Sequence, residues 1–197
     1  QAVGYTAGFL CHLALDSACH GYVDERAAEG PISHMAMEGE YDRMLMEDDG
    51  LDPCGRAHLP AAPEDGAVWQ AAARAFVHAS PGQVRQAYRA MTFLIGFLAR
   101  SCGTKRGRVI GAVSHMLPIR SAKGIALKEE PHPSAAESNA DLDRLLERAV
   151  EETAEQLGAF FRAVAAEEPV PAWFDRDFKG NPPHIPSTLR WQEAHSA

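Results

Sequence analysis

Apolar residues recur along this chain at three- and four-residue intervals, and nowhere alternate with period two for long, so the pattern predicts helices and no sheet. A first helix is expected over residues 4 to 28, with Phe9, Leu10 and Leu13 on its apolar side. Glu29-Gly30-Pro31 breaks it, because Gly and Pro together punctuate. Pro31 sits well at the first turn of a second helix, from about Ile32 to Glu47, which ends in the acidic turn Asp48-Asp49-Gly50. Residues 51 to 63 hold Pro53, Gly55, Pro60 and Pro63 and read as a loop. Val68, Ala72, Ala75 and Phe76 mark a third helix over 64 to 79. Ser80-Pro81 starts a fourth, running to Ser101 and stopped by Gly103; its apolar run from Met91 to Ala99 reads as a buried helix.

Arg106 to Leu117 is a shorter helical candidate carrying two glycines, and 118 to 135 a loop. The longest helix is expected over 136 to 167, with Leu142, Leu145, Leu146, Ala149, Val150, Leu157, Phe160, Phe161 and Val164 forming its stripe. Five prolines in 169 to 191 predict an irregular tail, 168 to 197, wrapped along the rest. The expected fold is all-α, a multi-helical bundle, and 197 residues suit one domain with a real core.

Composition narrows the function classes. A net charge of -8 argues against nucleic acid as a partner bound through a broad basic surface. The longest apolar run falls far short of the ~20 residues a membrane-spanning helix needs, so no transmembrane segment is expected. Four cysteines do not make a disulfide scaffold in a chain of this length. Cys11 and Cys19, about 12 Å apart along one helix, cannot pair with each other. Reduced thiols and a cytoplasmic setting are the expectation. Gln1, with no initiating Met before it, stands almost inside a helix, which suggests a preceding segment.

The chemistry gathers near the N-terminus. His12, Asp16 and His20 follow one another at four-residue steps, each drifting only about 40° around a helix axis, so they share one face. His34, Glu38 and Asp42 repeat the device on the next helix. Imidazoles and carboxylates at such spacing reach one divalent ion, or two adjacent ions, without backbone strain. The i, i+4 step differs from the i, i+3 pairs of di-iron bundles. His-Glu-x-x-His, a Gly-x-Ser-x-Gly elbow and a phosphate-binding Gly-rich Lys loop are all absent from the sequence. Six ionisable groups among apolar neighbours such as Phe9, Leu10, Leu13 and Met35 would be costly to bury without an ion. Lys105, Arg106 and Arg108 read as a solvated loop, His132 and His184 as proline-flanked loop residues, and Cys11 and Cys19 as small packing residues.

The segment Gly8 to Asp16, continued through His20 and then His34-Met35-Ala36-Met37-Glu38, resembles the zinc-dependent phospholipase C family. That family includes secreted bacterial phospholipases C and is related to single-strand nucleases of the S1 and P1 type. The resemblance implies an all-helical fold of the phospholipase C and P1 nuclease type, with a cluster of up to three Zn2+ ions that cleaves phosphodiester bonds. It further implies that His12 is a ligand of one zinc, that Asp16 bridges two, and that His20, His34 and Glu38 are the protein ligands of the remaining zinc. The interval from His20 to His34 fits the family, while that from His12 to His20 is shorter than in secreted members. Members also draw ligands, and an Asp that is a candidate base, from before this region, where this chain offers none. The resemblance thus implies either a preceding segment or fewer metals. The expected function is a zinc-dependent, phospholipase C-like hydrolase of phosphodiester bonds, with the choice among a phospholipid head group, a nucleic acid and a small phosphodiester left open by the sequence; the alternative is a non-catalytic helical protein with one structural zinc.

Overall fold

In a computed structural model, which describes residues 1–55, 58–116 and 123–182, the chain is helical, and no strand occurs among the described residues. The α-helices are α1 (Ala2–Glu29), α2 (His34–Asp48), α3 (Gly66–Ala73), α4 (Pro81–Ala99), α5 (Lys105–Met116) and α6 (Ala135–Ala166), followed by a 3₁₀ turn at Ala172–Asp175. None of the described helices is long and apolar enough to cross a membrane.

The chain forms two compact units. The first comprises residues 1–5 and 25–140, the second 6–24 and 141–197. In the first, Ile32, Met37, Trp69, Ala72, Cys102 and Ala135 are buried. α3 packs on α4 through Trp69 and Tyr88, whose ring centroids lie 5.7 Å apart. Their polar tips donate to the loop before α3, Trp69 Nε1 to the Pro63 carbonyl (2.9 Å) and Tyr88 Oη to that of Pro60 (2.7 Å). Each aromatic thus buries a body and satisfies a tip. α4 opens with a capping box: Ser80 accepts from the Gln83 backbone while the Gln83 side chain accepts from the Ser80 backbone.

The first unit also holds a buried ion pair. Arg43 and Glu40 of α2 have side chains only 4% and 6% exposed, with Arg43 Nε 2.9 Å from Glu40 Oε2. The same guanidinium donates to the backbone carbonyls of Lys128 and Glu129, which ties the segment before α6 to α2. Asn139 Nδ2 donates to the Glu40 carbonyl at 3.1 Å.

In the second unit, Leu10, Leu13, Ala14 and Val23 of α1 are buried, as are Leu142, Ala149 and Ala163 of α6. Tyr22 Oη donates to Asp141 at 2.8 Å. Phe160 meets Phe161 and Phe174 edge to face, closing the 3₁₀ turn against α6.

Four expectations change. The third helix stops at Ala73 rather than residue 79, because Arg74, Ala75 and Phe76 make tightened i to i−3 bonds. Phe76 and Val77 are 50% and 90% exposed, so no packing rewards a further turn. The run from Met91 to Ala99 is helical but not buried: Met91, Phe93, Leu94 and Ile95 are all exposed. Val150 and Val164 of the α6 stripe are exposed as well. Cys54 and Cys102 are joined as a disulfide with Cα atoms 5.0 Å apart, against the expectation of reduced thiols; Cys11 and Cys19 are free.

Candidate metal-ligating residues

α1 delivers the first set because its backbone stays regular through residues 12 to 20, so each four-residue step lands one turn higher on the same side. Asp16 Oδ2 lies 3.4 Å from His12 Nε2 and 3.7 Å from His20 Nε2. One carboxylate is therefore flanked by an imidazole a turn before it and another a turn after. The Asp16 and His20 side chains are 18% and 25% exposed, whereas that of His12 is 63% exposed. The desolvation that sequence reasoning attached to the whole set thus applies to Asp16 and His20 and only weakly to His12. Phe9 is exposed too; the apolar neighbours that are buried are Leu10 and Leu13.

In the other unit, Ser33 ends the break after Pro31 with extended backbone, and His34 opens α2. The Ser33 hydroxyl does not cap the helix; it donates instead to the Lys123 carbonyl (2.7 Å). His34 Nε2 and Glu38 Oε1 lie 3.1 Å apart, both part-exposed. Asp42, a turn further on, has its carboxyl raised above the usual range by desolvation and then by the Glu38 charge. More than a third of the Asp42 residue is open to solvent, so the repulsion from Glu38 is the better-supported cause.

These donor separations suit a small divalent cation. Two ligands at ~2.1 Å from a tetrahedral ion stand about 3.4 Å apart. The three pairs, at 3.1, 3.4 and 3.7 Å, bracket that value. Two imidazoles with a carboxylate in the second unit, and one of each in the first, are also the donor types zinc takes. The residues present fit the group.

The tail contributes residues that sequence reasoning passed over. Phe178 sets its ring 5.8 Å from that of His12 and 6.2 Å from that of Phe9. Lys179 Nζ pairs with Asp24, which raises the Lys179 pKa, and Gly180 follows with φ +77°. A Cβ at Gly180 would stand 2.6 Å from the Ser17 carbonyl oxygen, so only glycine admits this approach. The signal was an aromatic-Lys-Gly triplet in a proline-rich stretch, which reads as a turn but not as a strap across one helix face.

The weaker candidates resolve plainly. Cys19 is half-buried, with its thiol pKa raised by burial and by the Asp16 charge. His132 Nδ1 accepts from the Ser134 backbone while its carbonyl accepts from that of Ala135, so it shapes the start of α6. Lys105, Arg106 and Arg108 are not in a loop; they form the first turn of α5. His184 lies outside the described residues. In comparisons with known proteins, the chain matches no family model, no curated protein and no solved structure.

Proposed function

We propose that this chain is a zinc-dependent hydrolase of phosphodiester bonds, similar to the phospholipase C family, with phospholipid among its substrates. The observation that carries the reading is Asp16, whose carboxylate has an imidazole one turn away on either side, at 3.4 and 3.7 Å. Both imidazoles approach the same oxygen, Oδ2, and a turn of the carboxylate would offer one oxygen to each of two ions. His12 would hold one of them. Another would be held, as the resemblance implies, by His20, His34 and Glu38, each half-buried. Bound zinc lowers the pKa of its water towards ~7 and offsets the charge that develops on a phosphoryl oxygen. The chain's own part is to fix these donors on regular helices, so that little order is lost on binding. Asp42, one turn beyond Glu38, would hold an imidazole by its free N–H.

The test is metal content and activity together, on a chromogenic phosphocholine ester and a bis-aryl phosphodiester. Wild type should carry zinc and cleave at least one of the two. Asp16→Asn, which keeps size but removes the anionic charge, should lose activity and bind fewer ions than wild type. His34→Ala should lower both zinc content and melting temperature, since metal binding couples to folding. Wild-type activity in Asp16→Asn refutes the bridging role. A wild-type protein that holds one zinc and cleaves neither substrate instead supports a structural zinc between helices.

A further inference from the structure

The helix that sequence reasoning expected to be buried is open to solvent, and its composition says what covers it. On α4 the exposed side chains at 89, 93 and 94 fall at helical spacing: Arg89, Phe93 (70% exposed) and Leu94 (50%). α5 repeats the arrangement with Lys105, Arg108, Val109, Val113 and Met116, the last 84% exposed. Each helix therefore has a solvent-facing stripe that is cationic at one end and apolar along the rest. Arg106 links the two helices, its guanidinium 4.7 Å from the Phe97 ring centroid and its Nε donating to Ser101 Oγ (3.0 Å).

Charge is partitioned in the same place. Residues 66 to 128 contain ten Lys/Arg and no Asp or Glu, although the rest of the chain carries nine Lys/Arg against 27 Asp/Glu. The net charge of -8 hides this. At physiological salt a charge is screened beyond ~8 Å, so the exposed Arg89, Lys105 and Arg108, not the total, decide what these faces of α4 and α5 attract.

We propose that the exposed faces of α4 and α5 dock on an anionic lipid bilayer, with Phe93, Leu94, Val113 and Met116 entering the headgroup boundary and Arg89, Lys105 and Arg108 meeting lipid phosphates. The choice of a lipid surface over a protein partner rests on what these faces lack. From Met91 to Ala99 the only polar side chain is Thr92, and its hydroxyl already donates to the Arg89 carbonyl (3.0 Å). Protein interfaces use about one hydrogen bond per 100–200 Å², whereas a bilayer asks only for apolar area and cations. Large apolar side chains beside long cationic ones match the headgroup boundary, where alkyl stems stay in the apolar layer while charged ends reach phosphate. The inference stands independently of the zinc reading.

The experiment is co-sedimentation of the full chain with vesicles of pure phosphatidylcholine or of an equimolar phosphatidylcholine–phosphatidylserine mixture. Binding should be at least tenfold tighter to the mixed vesicles and should weaken as salt is raised. Lys105→Gln/Arg108→Gln should lose roughly twenty-fold, since each cation near the surface is worth about a factor of five. Phe93→Ser/Leu94→Ser should lose tenfold or more, with helix content checked by circular dichroism. Phe93→Trp supplies a readout that survives should the double variant unfold: its emission should shift to the blue on mixed vesicles and not on pure phosphatidylcholine. No binding, equal binding to both vesicles, unaltered binding by the folded variants, or an unshifted Phe93→Trp emission each overturns the proposal. Sedimentation showing a dimer that Phe93→Ser/Leu94→Ser abolishes would also overturn it, assigning the face to a second copy of the chain.

Discussion

Replacing Arg43 with Met tests the reasoning about α2 most directly. Met keeps much of the length and apolar stem of Arg43 but takes away the guanidinium, which faces Glu40 Oε2 at 2.9 Å, donates to the Glu129 carbonyl at 3.3 Å and reaches the Lys128 carbonyl. Glu40 would then stay in a site that leaves it 6% exposed, with no other counter-charge in hydrogen-bonding range among the described residues. Glu47, whose Oε1 lies 3.8 Å from Arg43, is half-exposed and can turn to water, so it adds little. Removing one partner of a buried pair costs about 3–5 kcal/mol. Water reaching the freed Lys128 and Glu129 carbonyls would hold the loss to the lower part of that range, so we expect roughly 3–4 kcal/mol for Arg43→Met. The assay is urea unfolding followed by far-ultraviolet circular dichroism, completed as a cycle with Glu40→Leu and the double variant. If desolvation of an unpaired carboxylate dominates, Glu40→Leu/Arg43→Met recovers most of the loss, because a buried ion pair replaced by apolar residues of similar size is often neutral. A loss below ~1 kcal/mol for Arg43→Met, or a double variant as unstable as the single, would refute that account.

Three further outcomes follow from other parts of the chain. The Cys54–Cys102 bridge spans a sequence separation of 48, for which loop-closure entropy gives about 4 kcal/mol at 25 °C; Cys54→Ser/Cys102→Ser should lose that much in urea, and unchanged stability of wild type under reductant would contradict it. Gly180→Ala should free the segment 176–182 from α1, read as faster hydrogen exchange there and earlier proteolysis at unchanged global melting temperature; unaltered exchange would show that the Ser17 approach is not selective. Asp65 caps α3 by accepting from the Ala67 backbone, which with Gln1 depresses its pKa. Its support is therefore complete above the ordinary carboxylate range and is lost as pH falls through the depressed value. Asp65→Ala should melt below wild type at neutral pH, and the gap should close in acid; a gap that is constant with pH would be the contrary result.

The parts of the fold that could be read from sequence are those where local chemistry and packing agree. Ser80-Pro81 with Gln83 sets the start of α4 before any tertiary contact forms, and Gly30-Pro31 ends α1 in the same way. The spacing of His12, Asp16 and His20 places an imidazole within 3.7 Å of the Asp16 carboxylate on either side of it, since that depends only on helix geometry. What could not be read depends on distant partners. Nothing in Phe93 or Val77 says whether a neighbour covers it, and pairing Cys54 with Cys102 needs residues 48 apart in sequence to meet. α5 looked doubtful for its two glycines, yet Gly107 is what lets it form: a Cβ there would lie 2.1 Å from the Ser101 carbonyl oxygen. The partial exposure of His12 was equally hidden, because helical periodicity tells which residues share a face but not how deeply that face is covered.

The strap formed by Phe178, Lys179 and Gly180 gives one side of the His12 imidazole an aromatic neighbour. Were the strap to lift, that side would meet water. Any ligand that prefers one of these environments at His12 shifts the docking equilibrium by the same factor by which docking shifts its affinity. A ligand held at Asp16 and protection of the tail would then be two readings of a single coupling free energy. The rate at which an imidazole-directed reagent labels His12 would report the strap's position without any assay of chemistry.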